Sequence, residues 1–176
     1  FRPDARSWNW EVNLIKSDQI NASAMPGGKI LFYTGIVDKL KLTDAEIAQI
    51  MGHEIAHALR EHGREASSRA GASQVAVQLG AALLGLGEGS RQLADAAVQY
   101  GVMMPHSRSN ESEADLIGLE LAARAGYKPE AAVSLWQKMA SASGGGPPEF
   151  LSTHPSPGGR TEALRAAIPR VRPLYE

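Results

Sequence analysis

Apolar and polar residues alternate in short runs over the first forty positions of the chain. Residues 8–18 alternate in part, which predicts a β-strand. A second run, 30–33, is apolar and β-prone, and it follows the sequence Pro-Gly-Gly at 26–28, which predicts a turn. The pattern therefore predicts a small N-terminal sheet, arranged as a hairpin or a meander, and a short helix near 35–40.

Helical spacing of the apolar positions replaces this alternation from residue 44 onward. Thr43 and Glu46 have the spacing of a capping box, which predicts the start of a helix over 44–62. Later helices are predicted at about 64–85, 90–102, 109–125, from 129 onward, and 159–167, with a flexible Gly/Ser/Pro-rich loop over 141–148. The predicted fold class is α+β, with a small N-terminal β-sheet followed by a mainly helical body, in a single domain over 1–176.

The segment 70–87 has no charged residue and is about as long as the shortest helix that spans a bilayer. Its glycines and the polar Gln74 and Gln78 make it only weakly hydrophobic. The favoured interpretation is a buried helix of small residues, and a segment that touches or enters a membrane is the alternative. Peripheral membrane association is therefore kept as an option, and we expect the segment to form a mobile flap near the functional cleft.

Composition restricts the possible partners and metal ligands more than it restricts the fold. The 176 residues are 43% hydrophobic and 21% charged, which is typical of a globular domain. A net charge of −1 provides no basic surface, so a nucleic-acid partner is not expected. The chain has no cysteine, so disulfides and thiolate ligands are excluded and any metal must be held by His, Asp or Glu. Because the chain begins with Phe1 and shows no signal-like segment, we expect a mature form whose targeting segment has been removed.

Three of the five histidines lie between residues 53 and 62, and two of them form the pattern H-E-x-x-H with Glu54. On the predicted helix, His53 and His57 are one turn apart on the same face, where two imidazoles can share one Zn²⁺. Glu54 is displaced around the helix, so it can reach a water on that ion rather than the ion itself. This arrangement predicts metal-assisted hydrolysis of peptide bonds with Glu54 as general base.

A catalytic zinc ion needs a third protein ligand and an open position. His62 lies five residues past His57, which does not match the six-residue spacing of the metzincins, so we expect it to be packed or hydrogen-bonded elsewhere. Glu111 and Asp115 lie four apart on one predicted helix. We therefore predict that Glu111 is a ligand and that Asp115 accepts the free ring N–H of a zinc-bound histidine. Glu113 is the rival ligand, and capping of the helix N-terminus is the alternative role of these acids.

His154 lies in the sequence "STHPSPGGR" at 152–160, after the flexible loop and with Pro155 and Pro157 beside it. A histidine on such a tip can swing to the open metal position and make the enzyme latent. Displaced from there, His154 or Arg160 could donate a hydrogen bond to the oxyanion of the transition state. An ordinary surface histidine is the third interpretation, and the latch is the one we favour.

Four stretches of the chain resemble those of a known family: "NASAMPGGKILFYTGIVDKL", "EIAQIMGHEIAHALREHG", "SRSNESEADLIGLELAARAGYKPEAAVSLWQKM" and "STHPSPGGR". They are similar to the HtpX/BepA-type zinc metallopeptidases, gluzincins that include the CAAX prenyl proteases and the mitochondrial inner-membrane quality-control peptidase. The resemblance covers nearly the whole chain and implies a zincin-type fold. It also implies one Zn²⁺ per chain held by His53, His57 and Glu111, with Glu54 as base and Asp115 bonded to a ligand.

Membrane members of the family carry transmembrane helices where this chain has only the weak run 70–87, so the chain resembles the soluble periplasmic branch. This implies a periplasmic location, or a membrane-associated one on the envelope side of a bacterium. The predicted function is a zinc-dependent endopeptidase that hydrolyses unfolded or misassembled proteins. The alternatives are an assembly factor or holdase that keeps the zinc site but is largely latent, and a zinc hydrolase of non-peptide substrates. The polypeptide substrate is expected to lie along an exposed strand edge at 29–34, and an ordinary core strand is the alternative for that segment.

Overall fold

The computed structural model describes residues 2–85, 87–98, 103–142, 148–155 and 159–176. A short 3-10 helix at Pro3–Ser7 leads into three strands: β1, Glu11–Ile15; β2, Ala22–Met25; and β3, Lys29–Tyr33. The helices of the described residues are α1, Thr34–Leu40; α2, Asp44–Leu59; α3, His62–Leu84; α4, Glu88–Val98; α5, Met104–Arg124; α6, Ala131–Ser141; α7, Glu149–Thr153; and α8, Arg160–Tyr175. The α+β fold class is confirmed, because a small N-terminal sheet is followed by a mainly helical body.

The sheet has the strand order β1-β3-β2. β2 and β3 form the predicted antiparallel hairpin, closed by a turn in which Gly27 and Gly28 have φ of 86° and 93°, values that favour glycine. β1 lies parallel to β3 on its other side, with Val12 opposite Ile30, so the meander alternative is wrong. The prediction that 29–34 forms an exposed edge is also wrong, because β3 is the central strand and β1 and β2 are the edges.

Helix α2 carries the H-E-x-x-H sequence and is shorter than predicted. Its N-terminus is the predicted capping box: the Glu46 N–H donates to Thr43 Oγ1 at 3.4 Å, and the Thr43 N–H donates to Glu46 Oε2 at 2.8 Å. The prediction that the helix continues to residue 62 is wrong. α2 ends at Leu59 because the chain turns at Glu61, which adopts the left-handed conformation with φ of 55°, and α3 begins at His62.

The helices α2 and α5 cross in close contact at a pair of glycines. A Cβ atom added to Gly52 would lie 2.5 Å from the carbonyl oxygen of Gly118, and one added to Gly118 would lie 2.6 Å from the amide nitrogen of His53. No side chain fits between these backbones, so the helices approach more closely than larger residues would allow. The crossing places the histidines of α2 against the acidic stretch of α5.

The hydrophobic core joins the inner face of β3 to the helices around it. One contiguous cluster contains Ile30 and Phe32 of β3, Ile50 of α2, Leu119 of α5 and Met139 of α6. These side chains are all buried, so the sheet is held against the two helices that carry the H-E-x-x-H and E-x-x-x-D sequences.

Helices α3 and α4 contact each other and are largely exposed. Within α3, burial is confined to His62 at its start and Ala81 near its end, while Leu83 is 86% exposed. The prediction that 70–87 is a buried helix is therefore wrong for the part that the structure describes, and Leu86 lies outside that part. Among the described residues, no helix has both the length and the apolar character needed to cross a membrane.

The C-terminal region differs from the prediction mainly in helix length. Helix α8 extends well beyond residue 167, where the sequence pattern ends it. It contains Pro169 and Pro173, although proline usually ends a helix. The short helix α7 is an element that the pattern does not predict. Parts of the predicted helix 90–102 and of the predicted loop, 99–102 and 143–147, lie outside the described residues.

Candidate metal centre

His53 and His57 bring two imidazole nitrogens together on one face of α2. Their Nε2 atoms are 3.1 Å apart, as expected for residues one helical turn apart. His53 is buried against Trp136 and Phe150, and His57 is mostly buried. Burial lowers the pKa of His57 to about 4, which keeps this imidazole neutral and able to act as a ligand.

Glu111 of α5 and His154, directly after α7, complete a group of four potential ligands. One carboxylate oxygen of Glu111 lies 3.3 Å from Nε2 of His53, and the other lies 3.2 Å from Nε2 of His57. Nδ1 of His154 lies 3.3 Å from Nε2 of His53 and 3.1 Å from Oε1 of Glu111. One ligand atom from each of the four residues lies within 4.8 Å of the others, so the fold gathers them at a single point.

The donor atoms of this group fit a tetrahedral zinc ion. Zn–N and Zn–O bonds of about 2.0–2.1 Å place neighbouring ligand atoms of a tetrahedron about 3.3 Å apart. The observed separations between ligand atoms, 3.1 to 3.3 Å, are close to this value and involve both oxygens of Glu111, and one atom from each residue lies within 4.8 Å of the others. Three imidazoles and one carboxylate are also ligand types that suit this ion. The four residues can therefore hold a divalent metal ion.

Glu54 lies beside this group of ligands and not within it. The N–H of Ala24 on β2 donates to Oε2 of Glu54 at 2.9 Å, and Oε1 is 3.3 Å from Nε2 of His154. Burial raises the pKa of the Glu54 carboxyl, so the carboxyl holds a proton more readily here than in water. The residue that the sequence singles out as the base is thus adjacent to the ligands and to an edge strand of the sheet.

Asp115 and Arg160 lie next to the group of four, on the side where His53 is. Oδ1 of Asp115 lies 3.0 Å from Nδ1 of His53, within hydrogen-bonding distance of the ring nitrogen that faces away from the ligands. Arg160 donates from Nε to Asp115 at 2.6 Å and from Nη2 to Glu111 at 2.9 Å. Its guanidinium lies 3.8 Å from the ring centroid of Trp136. These bonds occupy Nε and Nη2 of Arg160, whereas Nη1 is buried without a hydrogen-bond partner among the described residues.

Neighbouring side chains outweigh burial in setting the pKa values of Glu111 and His53. Burial alone would raise the pKa of Glu111, but hydrogen bonds with three histidines, His154 first, hold it well below the usual range. Burial alone would lower the pKa of His53, but the carboxylates of Asp115 and Glu111 raise it to about 9. The ionised form of Glu111 is thus favoured, which is the form that binds a metal ion.

His62 and Glu113, the other two candidates in the sequence, lie outside the group of four. His62 is buried and hydrogen-bonded, as predicted: its Nε2 is 3.1 Å from Oε2 of Glu113. The other oxygen of Glu113 pairs with Arg60 at 2.7 Å. Both residues nevertheless remain next to the site, because Nδ1 of His62 lies 3.0 Å from Nδ1 of His57.

Three neighbours of the site have no distinguishing signal in the sequence. Trp136 lies over the guanidinium of Arg160, and Phe150 stacks on His154 with ring centroids 4.5 Å apart. The third neighbour is the backbone of β2, which donates to Glu54. An aromatic residue in an apolar helical stretch has the same pattern as an ordinary core residue, and a backbone donor leaves no pattern at all.

A cleft of about 590 Å³ opens onto these residues. Its walls include side chains of β2, the start of α3 and the segment after α7, among them Ser23, Ala24, Arg64, Arg69, Thr153 and Pro155. The residues of α3 that line this cleft all precede residue 70, so the predicted flap over 70–87 is not seen to cover it. The cleft gives a large ligand access to Glu54 and to the group of four.

Comparison with known proteins gives the chain's relatives. A model of peptidase family M48 matches residues 2–168. The mitochondrial metalloendopeptidase OMA1 of Schizosaccharomyces pombe is 36% identical over 165 residues, which make up 93% of this chain and 48% of that protein. The mitochondrial metalloendopeptidase OMA1 of Homo sapiens is 34% identical over 189 residues, covering 99% of this chain and 35% of that protein. The beta-barrel assembly-enhancing protease of Escherichia coli strain K12 is 29% identical over 171 residues, covering 92% and 35%. The chain thus spans about half or less of the length of these relatives.

Proposed function

Since this chain belongs to peptidase family M48, we propose that it acts as a zinc-dependent endopeptidase. The observation that carries the proposal is the group of His53, His57 and Glu111 beside Glu54, in a cleft large enough for a polypeptide segment. Relatives named as metalloendopeptidases support the same class of reaction. The proposed cofactor is one Zn²⁺ per chain, because the ligand types and the separations of the donor atoms suit that ion.

The proposed reaction is hydrolysis of a peptide bond with general-base assistance. When bound, zinc polarises a carbonyl and lowers the pKa of water in the site. Glu54 lies where it can take a proton from the attacking water and pass it to the leaving amine. Asp115 and Arg160 keep the ligands Glu111 and His53 in place through the hydrogen bonds on their outer sides.

The substrate polypeptide is proposed to pair with the outer edge of β2, which β3 does not cover and where the Ala24 N–H donates to Glu54. Ser23 and Ala24 of this strand line the cleft, and the N–H of Ala24 points toward Glu54 and away from β3. An extended peptide added to this edge would present its backbone carbonyls near Glu54. Binding along a strand edge is therefore kept as the proposal, with β2 in place of the segment 29–34.

The position of His154 favours a latent form, and this gives the second candidate function. Its ring lies between Glu111 and Glu54, 3.1 Å from the first and 3.3 Å from the second, where a substrate carbonyl would have to enter. Stacking on Phe150 holds the ring in this position. A chain kept in this form could bind unfolded proteins as an assembly factor or holdase and rarely cleave them.

The proposed substrates are unfolded or misassembled proteins, and the proposed location is the envelope side of a bacterium. The name of the Escherichia coli relative refers to β-barrel assembly, which supports a role close to protein assembly. The other relatives are named as mitochondrial proteins, so the periplasmic location depends on the source of the chain. Separating the soluble periplasmic fraction of the source cells from the membrane and cytoplasmic fractions tests it.

Hydrolysis of unfolded casein, with and without a chelator, tests the proposed activity. Glu54→Gln should keep the fold and the metal but lose hydrolysis by several orders of magnitude, because an amide cannot accept the proton. Glu120→Gln is the matched control, since Glu120 pairs with Arg124 on the exposed side of α5, away from the site. Cleavage that survives the chelator, or loss of metal from Glu54→Gln, would contradict the proposal.

Replacement of His154 distinguishes the enzyme from the latent assembly factor. If His154 is a latch, His154→Ala should raise basal cleavage of casein and leave the zinc content unchanged. If it stabilises the transition state, the same change should lower kcat by about 10²–10³-fold, the usual effect of losing one oxyanion donor. Activity equal to that of the parent, on both folded proteins and short peptides, would exclude both roles.

A further inference from the structure

We propose that His62 and Glu113 form a hydrogen-bonded relay that positions the metal-binding ring of His57. The inference rests on the proposed metal site, since it concerns the side of His57 that faces away from the other ligands. Neither residue is needed as a ligand, because the group of four is complete without them. His62 lies next to His57 and bonds to Glu113. In the described contacts, Nδ1 of His57 has no other side-chain partner.

The break between α2 and α3 creates this contact. If α2 continued, residues five apart would point to different sides of the helix, and the rings of His57 and His62 could not meet through their Nδ1 atoms. Instead Glu61 adopts φ of 55°, and His62 becomes the first residue of the next helix. A residue other than glycine rarely adopts this conformation, so the surrounding contacts must hold it in place.

The proton positions in this relay would follow from metal binding through Nε2 of His57. Nε2 of His57 faces His53 and Glu111, so a neutral ligand ring carries its proton on Nδ1. That N–H can donate to Nδ1 of His62, 3.0 Å away. Nε2 of His62 then carries a proton and donates to Glu113 at 3.1 Å. A single assignment therefore satisfies all three groups.

The relay has an outer end that the solvent reaches. His62 is 5% exposed, whereas Glu113 and its partner Arg60 are partly exposed. The arginine holds the second oxygen of Glu113 at 2.7 Å, so the carboxylate presents its first oxygen to His62. The effect of a substitution should therefore decrease from His62 to Glu113 to Arg60.

The arrangement on His57 parallels the one on His53. There Asp115 lies on Nδ1 of the ring and is itself held by Arg160. On the His57 side, the imidazole of His62 lies between the ring and the carboxylate of Glu113. Outer hydrogen bonds of this kind orient a ligand ring and raise its basicity, and their loss typically costs 10–100-fold in metal affinity or activity.

The affinity for Zn²⁺, measured by competition with a chelating dye, and the visible spectrum of the Co²⁺-loaded chain test the proposal. His62→Phe fills the same space but cannot accept from His57, and it should weaken Zn²⁺ binding by about 10–100-fold and shift the Co²⁺ bands. His62→Gln keeps an acceptor and a donor and should restore part of the affinity. Glu113→Gln should have a smaller effect, and Glu120→Gln on the same helix should have none.

The outcomes separate this inference from the proposed function. A parent chain that binds no metal would overturn both, whereas a parent that binds Zn²⁺ and hydrolyses casein supports the function alone. With that established, equal affinity and equal spectra for His62→Phe and the parent would overturn the relay. Should His62→Phe not fold, the comparison of Glu113→Gln with Glu120→Gln decides, because both residues are partly exposed and equal affinities would again overturn it.

Discussion

Two regions of the molecule, the α2–α5 crossing and α3, both contain helical glycines. The space around these glycines differs. At Gly52 and Gly118 an added Cβ would meet backbone atoms at 2.5 and 2.6 Å. At Gly71 and Gly80 of α3 an added Cβ would meet nothing within 4 Å. The first pair makes a close backbone contact possible, whereas the second pair only weakens a helix.

This difference extends from the glycines to the regions that contain them. The crossing lies next to the group of four potential ligands, because the atom nearest to a Cβ added at Gly118 is the backbone nitrogen of His53. Helix α3 carries none of the four potential ligands, although His62 at its start contacts one of them, and most of its side chains face solvent. The close crossing of α2 and α5 holds ligand residues, whereas only the start of α3 lines the cleft beside them.

Gly118→Ala should be the most damaging change in this comparison. The new methyl group would force the backbones of α2 and α5 apart, which should lower the free energy of unfolding by about 3 kcal/mol. The separation would also move Glu111 away from His53, so Zn²⁺ affinity should fall with stability. Urea unfolding and dye competition measure the two effects, and an unfolding curve that coincides with the parent's would contradict the close-packed crossing.

Glu46→Gln should have the next largest effect, through the buried carboxylate at the start of α2. Burial opposes ionisation of Glu46, but Lys138, the Thr43 N–H and Ser134 together hold its pKa below the usual range. A depressed folded pKa stabilises the chain above pH of about 4.5 and stops doing so as the pH falls through the folded value. We expect Glu46→Gln to lose about 1–2 kcal/mol of unfolding free energy at neutral pH.

The pH dependence of that loss distinguishes a charge effect from a packing effect. The difference between parent and Glu46→Gln should be constant near neutral pH and should shrink below pH of about 4.5. Glu65→Gln on α3 is the comparison, because Glu65 pairs with Arg69 four residues on and both are partly exposed. Its effect should be smaller at every pH, since exposed pairs contribute little. A difference for Glu46→Gln that does not change with pH would contradict the charge assignment.

Gly80→Ala should have the smallest effect and the opposite sign. Replacing a helical glycine with alanine where there is room should raise the free energy of unfolding by about 0.5–1 kcal/mol. Gly71→Ala, at the exposed start of the same uncharged stretch, should behave alike. Thermal unfolding measures both changes. Destabilisation by either would show that α3 packs against the body more tightly than its exposure indicates.

The parts of the fold that the sequence predicts are those with a local signal. The capping box of Thr43 and Glu46 predicts the start of α2, and the four-residue spacing of His53 and His57 predicts their shared face. The end of α2 has no such signal, because Glu61 adopts a conformation that its residue type does not announce. The burial of α3 depends on which other elements pack against it. Its exposure therefore does not follow from its composition, which would also suit a buried helix.

The candidate site shows the same division. The spacing of Glu111 and Asp115 on one helix predicts that they share a face, and both lie beside His53. Their distance from His53 depends on the glycine crossing, which a single sequence does not reveal. The parallel pairing of β1 with β3 is equally a tertiary fact, and it is the reason that 29–34 is central and not at an edge.

The guanidinium of Arg160 bonds to the carboxylates of both Glu111 and Asp115. Arg160 lies more than forty residues after these two acids in the chain. A ribosome releases the H-E-x-x-H helix long before it releases that arginine. Until then the two acids lie at the crossing without the cation that pairs with both of them. The order of residues along the chain therefore delays the buried ion pairs of Glu111 and Asp115 until the start of α8 has been synthesised.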